Sequence, residues 1–317
     1  MTTPFGAETS AEEAARNIDL SGQTIVVTGG SAGLGVETAR VLAACGARIV
    51  SVVRDEAKGA AAAETIRQSV PSADIEIAVL DLFDLDSVRR GADDIAKRFP
   101  RIDRLINNAG VMACPLGRTA QGLDTQLGTN HLGHFVLTAR LIPALLAGAP
   151  ARIVNLSSAG HRMSPFRFDD PFFEKDDYNK WVAYGQAKTA NVLFSVALDK
   201  RFKDRGIRSY AVHPGAIQTE LGRHMDESDL KDLMDQRKGR SPMIFKQVPQ
   251  GAATTVWAAT APELDGRGGL YCEDCDVAEP IEDPSMDQGI MSWALDEKAA
   301  ERLWALSEEW SGEVFPA

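Results

Sequence analysis

The sequence predicts an α/β fold: a single-domain, doubly wound parallel sheet with helices on both faces. Short, fully apolar runs recur along the chain, as in TIVVT at 24–28 and IEIAVL at 75–80, and a segment with helical spacing follows each one. Strands without polar alternation are buried on both faces, which is the property of a parallel sheet covered by helices. Right-handed crossovers then wind the sheet in both directions and place ligands at the carboxyl ends of the strands. No repeat, low-complexity linker or break in composition divides the chain.

TIVVT runs into a glycine-rich turn and the helix GLGVETARVLAACG. ARIVSVV (47–53) is the next strand and EAKGAAAAETIRQS the next helix. IEIAVL leads into LDSVRRGADDIAKRF, and DRLINNAG (103–110) is a strand ending in a loop. A long helix spans roughly 124–146, with Pro143 near its end. RIVNLSS (152–158) and IRSYAVHPG (207–215) complete six strands, and the helix holding WVAYGQAKTANVLF lies between these two. The expected organisation is an N-terminal extension at 1–20, the sheet domain at 21–280 and a C-terminal extension at 281–317 with a helix packed on the domain. Irregular insertions at 159–181 and 216–248 both leave strand ends, where a pocket would be built.

Hydrophobic content of 44% and charged content of 25% are ordinary for a globular protein. The net charge of −11 opposes nucleic acid and an anionic membrane surface, while a local basic pocket for one phosphate stays compatible with it. No run of roughly 18 apolar residues is present. The N-terminus is acidic and has neither the basic start nor the apolar core of a signal peptide. The expectation is a cytoplasmic protein without a membrane anchor. Four cysteines do not make a disulfide framework, and Cys272-x-x-Cys275 has no further ligands at zinc spacing. Its acidic neighbours disfavour a thiolate, so the pair reads as structural or incidental. Asp169-Asp170 and Asp176-Asp177 lie in polar loops without matched ligands, and no metal is expected.

Thr28-Gly-Gly-Ser-Ala-Gly-Leu-Gly35 joins the first strand to the first helix. Gly29 permits a tight turn, and Gly33 and Gly35 let a pyrophosphate approach the backbone at the helix N-terminus. This T-G-x-x-x-G-x-G form resembles the short-chain dehydrogenase/reductase family. The resemblance continues in order through Asp81-Leu82, Asn107-Asn108-Ala109-Gly110, Asn130 in TNHLGHF, Ser158 after the fifth strand, Tyr184-x-x-x-Lys188 and His213-Pro214-Gly215, and covers roughly 20–280. It implies a Rossmann sheet binding NAD(P) through Gly29, Ser31, Gly33, Leu34, Gly35, Asp81, Leu82, Asn108, Ala109, Gly110, Tyr184, Lys188, Pro214, Gly215, Ile217 and Thr219. The second strand ends with Val53 where an acid would hold the ribose 2′-hydroxyl of NAD, and Arg54 suits a 2′-phosphate instead. Asp55 competes for Arg54. NADP is therefore the expected cofactor, with NAD the alternative.

Tyr-x-x-x-Lys by itself is a common helical spacing; its place in the ordered set gives it meaning. The resemblance implies Tyr184, Lys188, Ser158 and Asn130 as the catalytic residues of a hydride-transferring enzyme. A free phenol, with a pKa of about 10, is poorly matched to neutral pH. An ammonium one turn away would stabilise the phenolate and lower that value. Ser158 would hold the substrate oxygen, and Asn130 a water that links Lys188 to solvent. Ser157 competes with Ser158, but adjacent strand residues face opposite sides. His131, His134, His161 and His213 lack the G-x-S-x-G elbow of a hydrolase and read as structural, with His161 also a pocket candidate.

The 26-residue gap between Ser158 and Tyr184 and the tail EKAAERLWALSEEW are similar to the retinol dehydrogenase-like subgroup and its bacterial relatives. Phe166, Phe168, Phe172, Phe173, Trp181, Met225, Met234, Met243, Ile244 and Phe245 offer apolar pocket or lid surface. The expected partner is a lipophilic alcohol, aldehyde or ketone. The resemblance also implies homo-oligomers paired through the helices of Asn130 and Tyr184. One rival is a Rossmann protein that senses NAD(P) without turnover, which would not need the Asn, Ser, Tyr and Lys set. The other is a nucleotide-sugar epimerase, disfavoured by Ala32 where its glycine motif has Gly.

Overall fold

The computed structural model describes residues 4–222, 225, 227, 229 and 244–316. Six strands predicted from apolar runs form in order as β1 (Thr24–Thr28), β2 (Arg48–Val53), β3 (Ile75–Val79), β4 (Arg104–Asn107), β5 (Ala151–Leu156) and β6 (Ile207–His213). They pair in parallel in the order β3-β2-β1-β4-β5-β6. Side-chain alternation splits β2 between the two layers: Val50 and Val52 pack into one hydrophobic cluster and Ile49 into the other.

The helices follow the same division. α1 (Ala11–Ala14), α2 (Gly33–Ala44), α3 (Glu56–Ser69) and α8 (Val248–Thr260) cover one face. On the other lie α4 (Leu85–Arg98), α6 (Gly133–Ala147) and α7 (Lys180–Phe202). The long helix predicted over 124–146 is interrupted. It begins as α5 (Thr125–Leu127), passes through a π turn at Gly128–Leu132 and continues as α6 with Pro143 inside. Nothing in residue spacing marks a single π turn, and such turns concentrate at functional sites.

Among the described residues the sheet has eight strands, two more than predicted, while β7 (Ala216–Ile217) and β8 (Phe245–Lys246) pair with each other outside it. β9 (Leu270–Glu273) joins β6 in parallel, and β10 (Asp276–Val277) turns back on it. LYCE is too short to show a period, and its cysteine draws attention to chemistry instead of pairing. Cys272 lies in β9 between Val212 of β6 and Val277 of β10, and Cys275 sits with Asp274 in the two-residue hairpin turn, where the latter two have positive φ (58° and 51°). Burial pushes both thiols up, Cys275 to about 12, so neither is a thiolate at neutral pH.

The C-terminal segment first pairs β11 (Pro280–Ile281) with β12 (Ile290–Met291), then forms α9 (Glu297–Ser311). α9 lies across α6 and α7. Trp304 packs edge-on against Phe135 of α6 and beside Phe194 of α7, with the Arg201 guanidinium 4.3 Å from its ring. The helices expected to pair between copies therefore already carry α9 of their own chain. Among the described residues, no helix is long and apolar enough to cross a membrane.

Candidate active site

The glycine turn bends at Gly29, with φ +73°, and α2 follows so closely that a Cβ on Gly35 would lie 2.2 Å from the Gly29 carbonyl oxygen. Gly35 thus serves the contact between turn and helix. It is not among the residues that line the cleft. Thr28 stitches this turn to the next: its hydroxyl accepts from Asn108 N (2.9 Å) and Ala109 N (3.0 Å), and Asn108 Nδ2 donates to Thr28 O (2.8 Å). One residue beyond Gly110, Asn130 grips Val111 on both sides. Asn130 Oδ1 accepts from Val111 N at 2.8 Å, and its Nδ2 donates to Val111 O at 2.9 Å.

Tyr184 and Lys188 share one face of α7, both under 5% exposed, with Lys188 Nζ 5.6 Å from the Tyr184 ring centre. Nζ donates to Leu156 O at 3.0 Å. After β5 the chain turns sharply, and Ser158 Oγ accepts from Gly160 N at 3.0 Å. This turn lies flat on the tyrosine: a Cβ on Gly160 would fall 2.7 Å from Tyr184 Cε1. Both serines border the cleft, but the Ser157 hydroxyl is buried and donates to Lys188 O at 2.9 Å, so it is already engaged on α7. Burial raises the Tyr184 phenol to about 12, against the pull of its hydrogen bond with Ser158, and depresses the Lys188 ammonium to about 8. The phenol was expected to be lowered by its neighbour. With both groups removed from water, desolvation outweighs that attraction in the chain alone.

These residues share a cleft of about 1740 Å³ at the carboxyl ends of the strands. Of the positions expected to contact a dinucleotide, Gly29, Ser31, Gly33, Leu34, Arg54, Asp81, Leu82, Asn108, Ala109, Gly110, Tyr184, Lys188, Pro214, Gly215, Ile217 and Thr219 line it. Asn130 lies fully buried beneath the floor. The fit to a dinucleotide rests on this cradle, an open trough along the glycine turn where α2 presents its N-terminus. Asp55 does not occupy Arg54. It caps α3 by accepting from Lys58 N at 3.1 Å, and Arg54 forms no ion pair among the described residues. Lys58, one helical turn beyond Arg54, lines the same end of the cleft; the i, i+4 spacing was there to be noticed.

Comparison with known proteins agrees with this geometry. A family model for short chain dehydrogenases matches residues 23–230. Retinol dehydrogenase 12 of Homo sapiens is 40% identical over 296 residues, covering 93% of this chain and 88% of its own length. The chain belongs to the short-chain dehydrogenase/reductase family. Short-chain dehydrogenase/reductase prx1 of Penicillium roqueforti is 37% identical over 91% of this chain and 85% of its own. A crystal structure of an uncharacterized protein from Mycobacterium paratuberculosis superposes with a TM-score of 0.74 at 34% identity, covering 96% of this chain and 98% of that one. The protein is accordingly an NAD(P)-dependent oxidoreductase acting on CH–OH groups.

The substrate side of the dehydrogenase departs from the sequence reading. Trp181, Met225, Ile244 and Phe245 line the cleft, joined by Met163 and Leu221. Phe166, Phe168 and Phe172 do not: all three pack on the core, and Phe166 and Phe172 meet Trp310 of α9. Phe173 meets Tyr178 edge-on. Met234 and Met243 lie outside the described residues. His161, expected at the pocket, turns inward; its Nδ1 is 2.7 Å from Ser158 O, and its Nε2 accepts from Met291 N at 3.2 Å. His213 lines the cleft instead and accepts from Ala159 N at 3.2 Å. Arg162, unremarked in the sequence, forms a buried pair with Glu273 at 3.4 Å and donates to Met286 O, Asp287 O and Gly289 O. It ties the segment before β12 to the serine turn and has no donor left over to clamp a substrate carboxylate.

Proposed function

We propose that this dehydrogenase interconverts a lipophilic alcohol with its aldehyde or ketone, uses NADP(H), and moves the proton through Tyr184. The supporting observation is that Tyr184 and Lys188 lie buried side by side beneath the turn of Ser158. Bound nicotinamide supplies or accepts the hydride; the chain supplies orientation and the proton. A phenol held neutral is ready to protonate a carbonyl oxygen, and Lys188, an ammonium below about pH 8, stabilises the phenolate left behind. Ser158 holds the substrate oxygen, and Asn130 fixes the Val111 backbone beside Lys188 and anchors the water of the proton path.

Arg54 and Lys58, both exposed at the adenosine end of the cleft with Asp55 engaged elsewhere, support NADP over NAD. Trp181, Met225, Ile244 and Phe245, together with likeness to a protein named retinol dehydrogenase 12, support a lipophilic substrate. The reading takes the cytoplasm as the compartment. Pairing of copies, if through α6 and α7, has to displace or include α9, which sedimentation of wild-type protein would reveal.

The test is oxidation of NADPH and NADH against a panel of lipophilic aldehydes and ketones, with Tyr184→Phe beside the wild type. Turnover in the variant should fall about 10²- to 10⁴-fold while NADPH still binds. Unchanged turnover would refute the mechanism, and binding of cofactor without any turnover by wild type would favour the sensing alternative.

A further inference from the structure

We infer that His134 is a positioning residue, holding the Asn130 peptide against the junction of β1 and β4; the inference rests on the reading that Asn130 serves the proton path. His134 is buried four residues after Asn130, just past the π turn. Its Nδ1 lies 3.0 Å from Asn130 O and its Nε2 2.9 Å from Thr28 Oγ1. A carbonyl only accepts, so Nδ1 carries the proton, Nε2 is the acceptor and the Thr28 hydroxyl donates to it. The two remaining sites on that hydroxyl accept from Asn108 N and Ala109 N. Ile106 O, at 3.4 Å, is the longer of the two acceptors open to the Thr28 proton, and His134 Nε2 at 2.9 Å the nearer. Burial, opposed by the bond to Asn130 O, depresses the imidazole to about 4, and Lys188 pushes it the same way as burial, so the ring stays neutral at physiological pH.

One ring thus joins the end of β1, the turn after β4 and the residue at the middle of the π turn. A π turn displaces the helical hydrogen-bond ladder, and a side-chain donor to its central carbonyl fixes the peptide whose side chain grips Val111. His131, three residues earlier, faces away, with Nε2 2.8 Å from Ser307 Oγ of α9. It provides an equally buried control.

Two substitutions separate the halves of the link. Glutamine places its amide where Nε2 stood and so loses the donor to Asn130; asparagine places its amide where Nδ1 stood and so loses the bond to Thr28. His134→Gln should lower kcat about 10- to 100-fold and speed exchange of the Val111 amide about tenfold, with the NADPH dissociation constant nearly unchanged. His134→Asn should keep most of kcat, while the Asn108 and Ala109 amides exchange faster. His131→Gln should leave kcat and Val111 exchange as in wild type. The carbonyl compound is the fastest one in the panel above. Equal losses in both His134 variants, as mere packing would produce, or wild-type behaviour of His134→Gln, would overturn the inference. If Asn130→Ala keeps wild-type kcat, the reading of Asn130 itself fails; if Asn130→Ala is impaired and His134→Gln is not, the inference alone fails. Should neither His134 variant fold, nitrogen-15 spectra of the wild-type imidazoles decide: a proton on Nδ1 of His134 is expected, and one on Nε2 would overturn the link.

Discussion

Replacing Lys188 by Met should stabilise the empty protein while removing its activity. The ammonium is buried with Leu156 O as its hydrogen-bond acceptor at 3.0 Å, and desolvation alone depresses it from 10.5 to about 8. At 1.36 kcal/mol per pH unit, that gap is a folding cost of up to about 3 kcal/mol. Methionine removes the charge and keeps a similar volume. Leu156 O is not stranded, because Asn191 Nδ2 also donates to it at 2.9 Å. With an unfolding entropy of about 2.1 cal/mol/K per residue, the gain amounts to up to about 5 °C in melting temperature. The pH dependence gives the sharper test. The cost is complete below about pH 8, where the folded state must carry the charge. It is relieved between about pH 8 and 10.5, where the unfolded chain still holds a proton that the folded one has released. Melting curves of cofactor-free protein should therefore differ most at pH 7, narrow through pH 10 and converge above about pH 10.5. Equal melting at pH 7, or a difference that does not narrow with pH, would refute the reasoning.

Arg54→Glu combined with Lys58→Glu should weaken NADPH about 100-fold and leave NADH nearly unaffected in fluorescence titrations, since only the 2′-phosphate loses its charge-assisted partners. An equal loss for both cofactors would place these residues elsewhere in recognition. Arg162→Met strands the buried Glu273 carboxylate and should cost about 3–5 kcal/mol at neutral pH in denaturant unfolding. The loss should shrink at acid pH, because protonation of Glu273, which burial already favours, discharges the stranded group. A loss independent of pH would mean that the hydrogen bonds to residues 286–289 matter and the ion pair does not.

Most of the doubly wound sheet was legible in the residues because a strand buried on both faces has to be apolar throughout. The ordered motifs likewise pointed to one cleft, since the glycine turn, Asp81-Leu82, Asn108-Ala109-Gly110, Ser158 and Pro214-Gly215 each follow a strand and strand ends meet at one edge of the sheet. Other features needed the tertiary structure, for reasons particular to each. β9 and β10 are too short to show a period, so only the pairing of β9 with β6 and of β10 with β9 reveals them. Phe166, Phe168 and Phe172 looked like pocket residues because their loop is adjacent to Tyr184 in sequence, but in space they pack on the core, where Phe166 and Phe172 meet Trp310, over a hundred residues on. Asp55 could be seen beside Arg54, yet whether it paired with the guanidinium or capped α3 depended on backbone direction. The phenol of Tyr184 was expected low and lies high, because a neighbour's charge can be read from spacing whereas desolvation belongs to the whole fold. The sequence by itself determined the class of sheet, the glycine turn and the residue types around one cleft, through local spacing and apolar periodicity. Only the tertiary structure decided which side chains face that cleft, who caps whom and how strongly each charge is opposed, because those depend on groups distant in the chain and on how completely they exclude water.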